Sequence, residues 1–227
     1  MSSSKFDIVV YGATGFTGQL VAEYLAAHYK GDANLKWAMA GRSQDKLASV
    51  RDAIGAPKDT PLIVADAGDP ASLKAMVAQT KSVITTVGPY LLYGNELLSA
   101  CVAAGADYFD LCGEPIWMRQ KIEQHEAEAK KSGARIVFSC GYDSLPFELG
   151  VFYAQEEAKK AFGAPSARVT KCICAQITRG RDYQSARWFL RHFSTRLRRF
   201  FGNLPLLIMR STSSFTFGRL RLRSIAS

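Results

Sequence analysis

Histidine, patterned cysteine and long apolar runs are what this chain has least of, and each shortage removes a class of chemistry. Only three of 227 residues are histidine, His28, His125 and His192. None sits in an HExxH or similar pattern, and each is predicted to be a surface residue. The five cysteines, Cys101, Cys112, Cys140, Cys172 and Cys174, are odd in number and include no CxxC spacing. A disulfide framework and a dithiol redox motif are thereby excluded, and a reducing compartment fits. No P-loop lysine and no GxSxG elbow occur, which sets aside kinase-like and hydrolase chemistry. No uninterrupted apolar stretch approaches the roughly 18 residues of a membrane span. Met1 to Asp7 runs straight into a strand-like segment without the apolar core of a secretion signal. A soluble, cytoplasmic protein without a metal site is expected.

What is present is a globular composition, 48% hydrophobic and 22% charged, long enough for one or two domains. The net charge of +9 is unevenly placed. Residues 1–177 carry 13 Lys and 5 Arg against 19 acids, a net of −1, whereas residues 178–227 carry 11 Arg, no Lys and the single acid Asp182, a net of +10. A body near neutrality has no electrostatic reason to bind nucleic acid, and none is expected as a partner.

The body reads as strands alternating with helices. Asp7–Tyr11 is a β-branched run halted at Gly12, and residues 16–29 place Phe16, Leu20, Val21, Tyr24 and Leu25 at helical spacing. Further strands are predicted at Lys36–Ala40, Leu62–Ala65, Ser82–Val87, Tyr108–Leu111 and Arg135–Ser139. Helices are predicted at 44–54, from Pro70 with Leu73, Met76 and Val77 as its buried stripe, near 94–104 and at 115–132. Six strands so spaced predict an α/β fold, a doubly wound parallel Rossmann sheet with right-handed crossovers.

Between the first strand and helix lies Gly12-Ala13-Thr14-Gly15-Phe16-Thr17-Gly18, a GxxGxxG turn. Gly12 permits the sharp turn, Gly15 lets the backbone approach a pyrophosphate, and Gly18 lets the helix pack closely. With Thr14, Phe16 and Thr17, the helix N-terminus offers free N–H groups and partial positive charge to a phosphate. A purely structural glycine turn is the competing reading. The second strand ends Ala40-Gly41-Arg42-Ser43, with no acid where an NAD site places one for the ribose hydroxyls. Arg42 can pair with a 2′-phosphate and Ser43 can add a hydroxyl, so NADP is preferred over NAD. The alternative for Arg42 is a solvated loop position. Asp66 follows the third strand and suits either the adenine edge or the capping region of the next helix, and Val87, Gly88 and Pro89 follow the fourth and suit the nicotinamide ribose. None of the nine tyrosines has Lys four residues later, so the Tyr-x-x-x-Lys pair of short-chain dehydrogenases is missing and no proton donor is readable.

Three segments together resemble the saccharopine-dehydrogenase-like oxidoreductases, the group that includes trans-acting enoyl reductases. They are Val10 to Gly18 with Ala40-Gly41-Arg42; Val87-Gly88-Pro89-Tyr90 with Tyr93-Gly94; and Asp110-Leu111-Cys112-Gly113-Glu114-Pro115 with Cys140-Gly141-Tyr142-Asp143-Ser144-Leu145-Pro146. The match covers residues 5–177, with Glu148 standing where the pattern usually reads Asp. The resemblance implies an NADP-dependent oxidoreductase acting on a small molecule, with lipid or glycolipid metabolism, a lipid-like substrate and membrane association among its links. Tyr90, Tyr93, Cys112 and Asp143 are the candidate residues near the nicotinamide, each with a turn or core role as its alternative.

Residues 1–150 are thus expected to form the dinucleotide-binding domain. Residues 151–177, ending in the alternating run Arg168–Ile177, would begin a second, α+β substrate domain. Beyond 177 the resemblance stops, and the switch from lysine to arginine points to a reading-frame change or a truncated gene model. The competing reading is a basic amphipathic helix over 187–204. There Phe189, Phe193, Leu197, Phe200 and Leu204 oppose Arg187, Arg191 and Arg198, as suits peripheral contact with an anionic membrane. A non-catalytic NADP-binding fragment carrying such a tail is the alternative to an active oxidoreductase.

Overall fold

A computed structural model describes residues 4–29, 32, 34–142 and 144–166. Asp143, the predicted strand at 168–177 and the Arg-rich tail lie outside the described residues. Six parallel strands alternate with helices in the order β1 (Phe6–Tyr11), α1 (Phe16–His28), β2 (Trp37–Gly41), α2 (Gln44–Ala53), β3 (Leu62–Val64), α3 (Pro70–Val77), β4 (Thr80–Thr85), α4 (Tyr90–Tyr93), α5 (Asn95–Ala104), β5 (Asp107–Phe109), α6 (Pro115–Ser132), β6 (Ile136–Val137) and α7 (Leu145–Phe162). The sheet order is β3-β2-β1-β4-β5-β6, so the chain winds outward from β1 to β3 and then crosses to the other side at β4. That reversal between β1 and β4 is a topological switch point, and open α/β sheets hold their ligands beyond the carboxyl ends of the strands at such a point.

The strands form because their apolar residues are buried on both faces, as a parallel sheet covered by helices requires. Val9, Tyr11, Ala38 and Ala40 join Leu73, Met76, Val77 and Leu97 in one core layer. Val10 and Met39, one residue out of phase, join Ala22, Leu25 and Leu47 in the other. The register sets Val10 opposite Met39 and Ile84. Ser43 caps α2 by accepting from the Lys46 amide, and Asp69 caps α3 ahead of Pro70 by accepting from the Ala71 amide.

Four strands stop short of their predicted ends, β3 at Val64, β4 at Thr85, β5 at Phe109 and β6 at Val137. Past these points the Thr86 and Asp110 amides each make one more backbone bond, to the Tyr11 and Val137 carbonyls, and from Val87, Cys112 and Ser139 the amides turn to side-chain oxygens instead. The tetrapeptide Tyr90–Tyr93 forms a short helix that periodicity did not reveal, and α7 continues through residue 150. The surface reading of His125 is corrected. It lies two turns from Trp117 on the buried face of α6, at 8% exposure. Its Nε2 is 3.3 Å from Ser99 Oγ on α5, and its Nδ1 has no hydrogen-bond partner, Glu128 Oε2 being 3.8 Å away. No described helix is long and apolar enough to cross a membrane.

Candidate cofactor-binding site

The three glycines of the turn after β1 do different work. Gly12 has φ +88°, and a Cβ there would lie 2.7 Å from Val87 Cγ2 and 2.8 Å from Thr86 Oγ1. A Cβ at Gly18 would lie 2.1 Å from the Gly12 carbonyl oxygen, so α1 can pack on the turn only because this residue has none. Gly15 has an ordinary extended backbone, is exposed, and its Cβ would meet only the Gly12 oxygen, at 3.3 Å. The fold therefore requires glycine at 12 and 18 but leaves the third unexplained by packing. Gly15 is also the N-cap of α1, which has no side-chain cap and no acid in its first turn. The amides of Phe16, Thr17 and Gly18 have no acceptor among the described residues, and the side chains of Phe16 and Thr17 are exposed. A helix end left bare at such a turn attracts an anion. Thr14 is held from behind, its carbonyl accepting from Gln19 Nε2 at 2.9 Å.

Gly41 closes β2, and Arg42 beyond it is exposed, its guanidinium without a hydrogen bond or ion pair among the described residues. The Ser43 hydroxyl is already engaged as the cap of α2, at 3.4 Å from the Lys46 amide. Asp66 folds back on its own loop, Oδ1 accepting from the Gly68 amide at 2.8 Å. The capping alternative for Asp66 falls instead to Asp69, which caps α3. Burial pushes the Tyr11 phenol up to about 12, the nearby Asp66 carboxylate adding to the shift and Arg42 opposing it.

After β4, the Val87 amide donates to Thr85 Oγ1 at 3.3 Å, and the Gly88–Pro89 peptide is cis. Pro89 then leads into α4, whose first amides, those of Tyr90 and Leu91, donate to the two oxygens of Glu114 at 2.8 Å each.

Two of the candidate residues near the nicotinamide, Tyr90 and Cys112, are buried and hydrogen-bonded within the fold. Tyr90 is 4% exposed, and its hydroxyl donates to the Thr85 carbonyl at 3.2 Å while accepting from the Leu111 amide at 3.3 Å, tying the ends of β4 and β5 together. Burial raises its phenol, which stays protonated. Cys112 is 1% exposed, its sulfur accepts from the Glu114 amide at 3.3 Å, and burial pushes the thiol up to about 11, far from a nucleophile at neutral pH. Tyr93, at 46% exposure, faces outward beside Leu91 and Leu92. The neighbouring start of α6 adds Ile116 and a shallow depression of about 290 Å³ lined by Leu91, Glu114, Pro115, Ile116 and Trp117.

The fastening centre is Asp110, directly after β5. Its buried carboxylate accepts from the Cys112 amide at 3.0 Å, the Ser139 amide at 2.8 Å and the Tyr108 hydroxyl at 3.0 Å. Burial raises its pKa against the pull of those donors. Ser139, in the left-handed region at φ 59°, returns a bond from its hydroxyl to the Cys112 carbonyl at 2.6 Å. Asp110 follows a strand as Asp66 does, and that position was its one readable signal; Ser139 had none.

Comparison with known proteins agrees with this architecture. Residues 8–137 match the model of the family described as the saccharopine dehydrogenase NADP binding domain. A trans-acting enoyl reductase of Mycobacterium leprae is 48% identical over 149 residues, 65% of this chain and 35% of that protein. A Mycobacterium tuberculosis protein of similar naming is 48% identical over 177 residues, 78% of this chain and 41% of its own length. The chain thus spans less than half the length of these curated relatives. Among solved structures, apo saccharopine dehydrogenase (L-Glu forming) from Saccharomyces cerevisiae superposes with a TM-score of 0.55 at 20% identity, covering 69% of this chain and 32% of that one, a likeness of fold.

Proposed function

We propose that this chain, which belongs to the family of saccharopine dehydrogenase NADP-binding domains, holds NADP(H) along the carboxyl edge of its sheet as part of an oxidoreductase acting on an α,β-unsaturated, lipid-like acyl substrate. The observation that carries the reading is a pair of unsatisfied cationic features on one edge, the bare α1 N-terminus behind Gly15 and the unpaired guanidinium of Arg42 after the adjacent strand. The first suits a pyrophosphate and the second a 2′-phosphate. Gly12, Gly18 and Gly41 shape the cradle, Thr14, Phe16, Thr17 and Ser43 rim it, Asp66 meets the adenine, and Val87, Gly88 and Pro89 carry the nicotinamide ribose. Bound NADPH supplies the hydride. The acyl character of the substrate is supported by the names of the relatives and by Leu91, Leu92, Tyr93 and Ile116, exposed apolar residues beside the ends of β4 and β5. In the same reading residues 1–150 form the cofactor domain, 151–177 begin the substrate domain, and the basic tail contacts membrane.

A second reading, cofactor binding without appreciable turnover by this chain alone, is favoured by the engagement of Tyr90 and Cys112 within the fold, which leaves neither of these two candidates free to deliver a proton. Hydride addition to an enoyl carbon needs a proton delivered to the adjacent carbon. NADPH and NADH titrations of wild type and Arg42→Ala test the cofactor reading. Loss of one charge-assisted contact, about 1–3 kcal/mol, should weaken NADPH and leave NADH nearly unchanged. Equal loss for both refutes the role of Arg42. NADPH oxidation with an enoyl thioester separates the two readings, robust turnover by the 227-residue chain overturning the second.

A further inference from the structure

Among the described residues three tyrosines, Tyr11, Tyr90 and Tyr108, are almost wholly buried, and the hydroxyls of two of them are hydrogen-bonded. The Tyr90 hydroxyl donates to Thr85 and that of Tyr108 to Asp110. Tyr11 is 2% exposed, yet its hydroxyl has no hydrogen bond among the described residues. A buried phenol normally finds a partner. Nor is the oxygen sealed inside. Among buried side-chain nitrogen and oxygen atoms of the described residues, only His125 Nδ1 is closed off from both protein and solvent, so the Tyr11 oxygen, equally unpartnered, opens to the surface.

The location of that opening follows from the sheet. Tyr11 is the last residue of β1, in register with Ala40 of β2, which is in register with Ile63 of β3. Its ring lies on the core face that also carries Ala38, Ala40 and Ala65, and these small side chains leave it room. The phenol feels the charges of Asp66 and Arg42, the residues that leave β3 and β2 at the carboxyl edge. Asp66 in turn uses Oδ1 for the Gly68 amide and has no bond to Oδ2 among the described residues.

We propose that Tyr11 Oη and the Asp66 carboxylate together read the adenine ring of the bound dinucleotide, the carboxylate accepting from the amino group and the hydroxyl donating to the ring nitrogen beside it. An acceptor next to a donor is the complement of that edge of adenine. Hypoxanthine, with a carbonyl in place of the amino group, would turn an acceptor toward the carboxylate. Arg42 remains the contact for the 2′-phosphate. This inference rests on the cofactor reading above and adds a specificity residue to it.

The test compares NADPH with reduced nicotinamide hypoxanthine dinucleotide phosphate, titrated against the full 227-residue chain. Wild type should favour NADPH by about tenfold or more, the worth of a hydrogen bond lost together with a repulsion gained. Tyr11→Phe, which keeps the ring volume, should weaken NADPH about tenfold and leave the analogue nearly unchanged. Asp66→Asn, whose amide can face either base, should bring the two ligands to within about twofold. Tyr11→Phe with wild-type NADPH affinity, or a wild type indifferent to the base, overturns the inference while leaving NADP binding intact. Should Tyr11→Phe not fold, unchanged discrimination in Asp66→Asn overturns it instead. Absence of NADPH binding by wild type overturns the cofactor reading and this inference with it.

Discussion

Substituting Gly18 and Gly15 separately divides the turn into a part that builds the fold and a part that meets the cofactor. An alanine Cβ at position 18 would stand 2.1 Å from the Gly12 carbonyl oxygen, 2.7 Å from its carbon and 2.9 Å from Ala13 Cα. Close carbon–oxygen approaches in proteins lie near 3.3 Å, so more than about 1 Å must be found. All three obstacles are backbone atoms of the turn, and α1 must lift from the sheet to clear them. Overpacking that cannot relax through a side chain costs about 3 kcal/mol or more, a melting-point loss of about 6–12 °C for a domain of this size. Valine at Gly15 meets one atom, at 3.3 Å, on a backbone of φ −79° and ψ 163° that suits a β-branched residue. Its effect on stability should stay within about 1 kcal/mol. Its branched side chain nevertheless fills the approach of a pyrophosphate to the bare amides, so NADPH binding should be abolished. Thermal melts by circular dichroism and NADPH fluorescence titrations of both variants read the two effects apart. Wild-type NADPH affinity in Gly15→Val, or a wild-type melting point in Gly18→Ala, would refute the division.

Asp110→Ala strands two amides and a phenol in the core, at about 1–3 kcal/mol each, and should unfold the domain or bring it close to unfolding by urea titration. Asp110→Asn keeps an acceptor for both amides and removes a buried charge, so at pH 7 it should fall within about 1 kcal/mol of wild type. The pH dependence separates two carboxylates of opposite sign. The Asp107 pKa is lowered, chiefly by its side-chain bonds from Arg135, so its contribution is present above the unfolded value of 3.8 and is lost as pH falls through the folded one. The raised pKa of Asp110 makes its contribution grow as pH falls. Urea midpoints measured from pH 6 down to 3 should therefore decline less steeply in Asp107→Asn and more steeply in Asp110→Asn; parallel curves would contradict the assignment.

Whatever depends on period and local turn chemistry was legible in the chain. The run before Gly12, the stripe of Leu73, Met76 and Val77, Pro70 at a helix start and the span of α6 each follow from residues within a turn or two of one another, and the alternation of such units implies a parallel sheet with its site at the carboxyl edge. The glycine turn and Arg42 were legible for the same reason, since they adjoin the strands that place them. Tertiary structure alone decided which polar side chains are free. Tyr90 meets Leu111 across 21 positions, Asp110 meets Ser139 across 29 and His125 meets Ser99 across 26. No local pattern records a partner so distant, and only the folded sheet shows Tyr90 and Cys112 engaged in fastening its strand ends. The converse holds for Tyr11. Its apolar neighbours marked it as part of a strand, and only packing the strand beside Ala40 and Asp66 left its hydroxyl without a protein partner at the carboxyl edge.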